Sequence, residues 1–122
     1  ERELADLLLA LRQVSRAGTV MSHWIDYRDE YAYFDKHISH FNFLRFPGWL
    51  WAIINNPLIP LSRLRLTDHR HALLSAGFQV VQEDAVHGDR AELARVPLAA
   101  QFRRYPLDDL LALDAWLVAV PG

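Results

Sequence analysis

Ser15-Arg16-Ala17-Gly18-Thr19-Val20-Met21-Ser22-His23-Trp24-Ile25-Asp26-Tyr27-Arg28 decides how the rest of the chain is read. It contains a helix end, a glycine turn, a strand and a polar exit. Arg16-Ala17-Gly18 is positioned to close an apolar helix, because glycine takes the left-handed conformation that helix C-termini favour. Thr19 to Ile25 is rich in β-branched and aromatic residues, which predicts a strand over 19–25. The strand runs into Asp26-Tyr27-Arg28-Asp29-Glu30. In open α/β sheets, ligands bind beyond the carboxyl ends of parallel strands, so this cluster is expected on the working edge.

Outward from this stretch, Leu4, Leu7, Leu8, Leu11 and Val14 recur at helical spacing. They predict an amphipathic helix over 2–16, with Arg12 and Arg16 near the end where positive charge is favoured. Downstream, residues 27–57 are crowded with aromatics from Tyr27 to Trp51. So long and apolar a connection is not a bare loop. A short helix is expected over Tyr27 to Phe34. Another is expected around Trp49, Leu50, Ile53 and Ile54, ended by Asn55-Asn56-Pro57. The whole of 27–60 reads as a helical insertion capping the sheet edge, with Pro57 and Pro60 bracketing an irregular crossing.

Thr67 is the expected N-cap of a helix that stops at Gly77. Phe78, Val80 and Val81 start a strand to about residue 86. Residues 89–95 read as a short helix, and 97–106 as irregular. Pro106 opens a helical turn. Ala115 to Val120 belong to a last buried strand near 113–120.

The composition bounds the function. Of 122 residues, 52% are hydrophobic and 23% charged, which is a globular composition rather than a disordered one. A length of 122 suits one domain over 1–122. The net charge of −2 carries no basic excess, so no nucleic-acid partner is expected. No apolar run approaches the roughly 20 residues of a membrane span, so no membrane partner is expected. With no cysteine, disulfides and thiolate metal sites are excluded, and a reducing, cytoplasmic location is expected. The helical pattern is already under way by Leu4, and Glu1 is not a methionine, so a fragment of a longer protein is expected.

The helix, Arg16-Ala17-Gly18 and the strand resemble the segment around the fifth strand of class I S-adenosylmethionine-dependent methyltransferases. The run from His23 to Asp35, with Ile38 to Phe46 after it, resembles a subgroup with a long insertion after that strand. Leu74-Ser75-Ala76-Gly77-Phe78-Gln79-Val80-Val81 is similar to the helix that enters the sixth strand. The resemblance implies the C-terminal half of that Rossmann-like α/β fold, with strands near 19–25, 78–86 and 113–120. The last strand would run antiparallel between the other two, among flanking helices and the aromatic insertion. It implies methyl transfer to a small-molecule acceptor, a reaction that depends mainly on positioning. The family's glycine-rich cofactor loop and ribose-binding carboxylate lie before the segment that Glu1 begins. S-adenosylmethionine is therefore expected to bind the full-length parent and not this chain.

The individual residues keep two readings each. His23 is either a hydrogen-bonded core or edge histidine or a substrate-facing group below the cleft. Asp26, Tyr27, Arg28, Asp29 and Glu30 form a solvated helix start, or else Tyr27, Arg28 or Asp29 stands over the substrate pocket. The substrate-site expectation rests on His23, Asp26, Tyr27 and Arg28, with Tyr27 and Arg28 released past the strand end and pointing over the rim. The aromatic insertion is either packed core or the lining for an apolar, planar acceptor. Arg103-Arg104 reads as a surface pair, with anion binding as the rival. His69 and His71 fall on different faces of a helix, while His37 and His40 could share one, so no metal site is expected. The rival function is a non-catalytic α/β interaction module that binds a partner through its aromatic surface. In the family fold the 19–25 strand would pair with a strand of the missing half, so its open edge here is expected to support a homodimer or larger assembly.

Overall fold

A computed structural model describes residues 1–58 and 60–122. It is an α/β arrangement in which helix α1 (Arg2–Val14) leads into strand β1 (Met21–Asp26). Helix α2 (Gly48–Ile54) follows, then α3 (Leu66–Ser75), strand β2 (Phe78–His87) and α4 (Arg90–Ala94). Helix α5 (Leu107–Leu111) runs directly into strand β3 (Ala112–Pro121). No helix among the described residues is long and apolar enough to cross a membrane.

The three strands make one open sheet in the order β1-β3-β2, with β3 antiparallel to both neighbours. β1 and β2 therefore point the same way. Their carboxyl ends share one edge with the start of β3.

Alternation sets the faces of the sheet. Met21, His23 and Ile25 face inward from β1, as do Ala115, Leu117 and Ala119 from β3. They pack under α1 and α3 with Leu8, Leu66, Leu73 and Phe78. The opposite face is partly open to solvent among the described residues. Trp24 and Trp116 stand directly across from each other there, 49% and 50% exposed.

A second core lies beyond the strand ends. Phe41, Phe43 and Leu44 pack there with Leu93, Val96, Phe102, Leu110 and Leu111. The aromatic stretch is thus partly packed core, built jointly with α4, α5 and the 3₁₀ turn Ala100–Phe102.

Several boundaries differ from expectation. α1 stops at Val14 rather than at residue 16, because Ser15 is extended and its Oγ donates to the Leu11 carbonyl (2.7 Å). Gly18 does take a left-handed φ of 90°, but in a separate turn closed by Thr19 N–H on the Arg16 carbonyl (3.0 Å). The strand starts at Met21, two residues later than expected. Between Tyr27 and Phe34 only the 3₁₀ turn Glu30–Tyr33 forms, because Asp29 caps it by accepting from Tyr31 N–H (3.0 Å). Thr67 is not the N-cap of α3. Arg65 occupies that position, with its N–H donated to Asp68 Oδ2 (2.8 Å), and Thr67 N–H is taken by Asp109. β2 and β3 extend to His87 and Pro121. The expected crossing between Pro57 and Pro60 runs through Ile59, outside the described residues.

Candidate functional site

β1 delivers two groups of side chains to the shared edge, and they point in opposite directions. Asp26 lies directly opposite Asp114 across the β1–β3 ladder. Like charges so placed repel. Arg28 resolves this, with Nη1 donating to Asp26 Oδ1 (3.2 Å) and Nη2 to Asp114 Oδ2 (3.0 Å). Its backbone N–H also donates to Asp26 Oδ1 (3.0 Å), and Tyr33 OH donates to Asp26 Oδ2 (2.7 Å). Partial burial disfavours the Arg28 charge, but the bonds to Asp114 and Asp26 outweigh it and raise the guanidinium pKa above its ordinary value. Burial, then the bond to Asp26, raises the Tyr33 phenol likewise. Arg28 is committed to two carboxylates at a rim that stays partly open to solvent.

Tyr27 points the other way. It does not reach over the rim; it is 2% exposed and belongs to the main core. The cause is Arg65, which is fully buried. Arg65 Nη1 donates to the Tyr27 carbonyl (3.0 Å), and Nη2 to those of Leu110 (3.2 Å) and Ala112 (3.0 Å). Its guanidinium carbon sits 5.2 Å from the Tyr27 ring centroid, a cation–π distance. The Tyr27 ring meets His69 edge-on, and its OH lies 3.1 Å from His69 Nδ1. The same Nδ1 lies 3.1 Å from the Arg65 carbonyl. Burial drives the Tyr27 phenol far above its usual range, against the pull of Arg65. Tyr27 is therefore a neutral phenol at physiological pH. Burial also lowers the His69 pKa, which favours a neutral imidazole there.

His23 faces the same interior. Its Nε2 is buried without a hydrogen-bond partner among the described residues. With His69, Leu8 and Leu117 it lines a cavity of about 120 Å³ beneath α1. A larger open pocket of about 460 Å³ lies at the end of β2, lined by Arg70, Glu83, His87 and Asp109 among others. Asp29 is structural: it caps a turn, and burial raises its carboxyl pKa against the bonds it accepts. His40 is bound through Nδ1 to Glu92 (3.1 Å), while His37 donates only its backbone N–H, to Asp35. Among the described residues, no three His, Asp or Glu side chains cluster as metal ligands.

The four residues singled out from the sequence are thus divided. Asp26 and Arg28 share the rim with Asp114 and Tyr33. His23 and Tyr27 share the interior with His69. Sequence reasoning missed Arg65 and Asp114. Asp114 becomes visible once the antiparallel register sets it against Asp26. Nothing local marks Arg65, which stands between Leu64 and Leu66. Comparison with family models, with curated proteins and with solved structures finds no match for this chain.

Proposed function

We propose that this chain is the substrate-side half of a class I S-adenosylmethionine-dependent methyltransferase acting on a small-molecule acceptor. The observation that carries the reading is the sheet order: the last strand lies antiparallel between the two strands that a helix and a left-handed glycine each precede. The resemblance implied that order. On this reading Asp26 and Arg28 face the acceptor at the carboxyl edge, while Tyr27, His23 and His69 stiffen the floor beneath it.

On this reading the cofactor-binding loop is not supplied by this segment. Among the described residues, Gly18 and Gly77 are the two positive-φ glycines. They precede β1 and β2, and neither stands at the rim where the reading would put a nucleoside or an amino-acid tail. Calorimetric titration of the 122-residue chain with S-adenosylmethionine is therefore expected to give no heat of binding. The protein made from the whole open reading frame is expected to carry a glycine-rich loop ahead of Glu1 and to transfer labelled methyl groups. An unrelated domain in that place, or a whole protein that binds no S-adenosylmethionine, overturns the reading.

The rival, a binding module, has one observation in its favour: the partly open sheet face with Trp24 and Trp116 side by side. The two sheet edges also differ. β2 is broken by register shifts at Val80/Gln82 and Val86/His87 and carries Glu83 and Asp84. Such features protect an edge from pairing. β1 pairs with β3 without a shift and carries only the terminal Asp26 as a charge. A homodimer through β1 follows, read by light scattering as twice 14.1 kDa. Ser22→Lys, which adds a charge to that edge, is expected to return it to monomer. A wild-type chain that stays monomeric at high concentration rejects the dimer.

A further inference from the structure

The segment from Lys36 to Thr67 contains no aspartate or glutamate, so all 15 acidic residues of the chain lie outside it. Its basic residues are Lys36, Arg45, Arg63 and Arg65. Within it, Phe46 to Ser62 carries no charged side chain at all. This charge segregation coincides with a local exposure of apolar side chains. Helix α2 is held to the body by one face, where Trp51 packs edge-on to Phe43 (6.0 Å between ring centroids) and stacks on Phe46 (6.3 Å). Trp49 and Ile53, four residues apart and so on one face, are 69% and 73% exposed. Ile54 is 46% exposed and Leu58, just beyond the helix, 88%. Phe34, also 88% exposed, shares a surface depression with Asn56 and Leu61, where Glu30 closes one side.

A surface helix in water turns polar residues outward. α2 has none to turn: its sequence is Gly-Trp-Leu-Trp-Ala-Ile-Ile. We propose that this face attaches the chain to an anionic bilayer surface. Trp49, Ile53, Ile54 and Leu58 would enter the headgroup boundary, and Lys36 and Arg45 would lie against the lipid phosphates. The structure decides which cations serve. Arg63 is wedged between the Trp51 and Phe102 rings and donates to the Phe43 and Phe46 carbonyls, and Arg65 is fully buried. Lys36 and Arg45 remain exposed. An apolar, tryptophan-bearing face with cations and no carboxylates in its own segment complements an anionic leaflet in both respects. Surface attachment needs no membrane span, so the absence of an 18-residue apolar helix among the described residues is no obstacle. The proposal stands independently of the methyl-transfer reading, since it concerns where the chain sits and not what it catalyses.

Flotation with phosphatidylcholine vesicles, with and without phosphatidylglycerol, tests it. The chain is expected to float with the mixed vesicles and much more weakly with the neutral ones. Lys36→Gln with Arg45→Gln is expected to weaken binding to the mixed vesicles by about thirty-fold, from the attraction of two exposed cations to an anionic leaflet. The same pair should leave binding to neutral vesicles unchanged. Trp49→Ser with Ile53→Asn is expected to abolish flotation on both. These side chains are largely exposed, so an unchanged far-ultraviolet circular dichroism spectrum confirms that the variant is folded. Absence of flotation overturns the proposal, as does flotation that survives both pairs of changes. A dimer that the apolar variants break, in a chain that binds no vesicles, assigns the face to a second copy instead.

Discussion

Arg65 is a cation with no exposed surface, and burial lowers its pKa against the pull of Asp109. It persists because its guanidinium holds three carbonyls from two separate parts of the chain, Tyr27 after β1 and Leu110 and Ala112 at the α5–β3 junction. Arg65→Met removes the donors and leaves the acceptors buried. Each unsatisfied buried group costs about 1–3 kcal/mol, so a loss of at least about 3 kcal/mol is expected in urea unfolding. A loss below about 1 kcal/mol would show that the carbonyls find other donors. His69 sets a pH dependence of a definite sign. Its folded pKa lies below the ordinary 6.5 because burial disfavours the charged ring. The unfolded chain therefore binds the proton first as pH falls. Stability is expected to be full above about pH 6.5 and to drop as pH falls through and below that value. His69→Gln should flatten that limb of the urea midpoint against pH; an equally steep limb in the variant assigns it elsewhere.

At the scale of elements, two units share one plan: helix, left-handed glycine, strand. Gly18 and Gly77 both have φ of 90°. A Cβ at Gly18 meets nothing within 4 Å, whereas one at Gly77 meets Arg12 Nε at 3.2 Å, the atom that donates to the Gly77 carbonyl. Gly18→Ala is thus expected to cost only the backbone strain, about 1 kcal/mol. Gly77→Ala should cost more, and the Arg12→Ala background should narrow the difference between them. Equal thermal shifts in the wild-type background would contradict this. These units were legible in the sequence because their signals are local: leucines at helical spacing, a glycine, then a β-rich run. The central antiparallel strand was anticipated only through the resemblance. The fate of Tyr27 was not legible. A residue just past a strand is free to turn either way, and what turned it inward is a guanidinium 38 residues downstream. The rim pair was half legible. Asp26 and Arg28 were read as a cluster, but their third member, Asp114, depends on cross-strand register. The short helix expected over Tyr27 to Phe34 is a four-residue 3₁₀ helix, Glu30–Tyr33. The packed part of the insertion, Phe41 to Leu44, finds its partners among residues 93–111.

For the molecule as a whole, the question is whether its two cores fold as one. The first joins α1 and α3 to the sheet; the second joins the aromatic stretch to α4 and α5. Contacts at three points bind them. Leu110 and Leu111 belong to the second core and Ala112, the next residue, to the first, so the α5–β3 junction passes through both without a linker. Arg65 spans the same junction by donating to Leu110 and Ala112 at once. Tyr27 N–H, at the exit of β1, donates to the Leu113 carbonyl (2.9 Å) beside it. Opening either core therefore strips hydrogen bonds from the other. A single cooperative transition is expected, as small units sharing buried contacts usually show. Phe43→Ala and Leu73→Ala, one from each core, should each cost about 2–5 kcal/mol. Each should lower one common urea midpoint, with near- and far-ultraviolet circular dichroism remaining superimposable. Two separated transitions, with Phe43→Ala moving only one of them, would mean that the aromatic stretch is an independent unit resting on the sheet. The junction at residues 110–112 would then be a hinge rather than a weld.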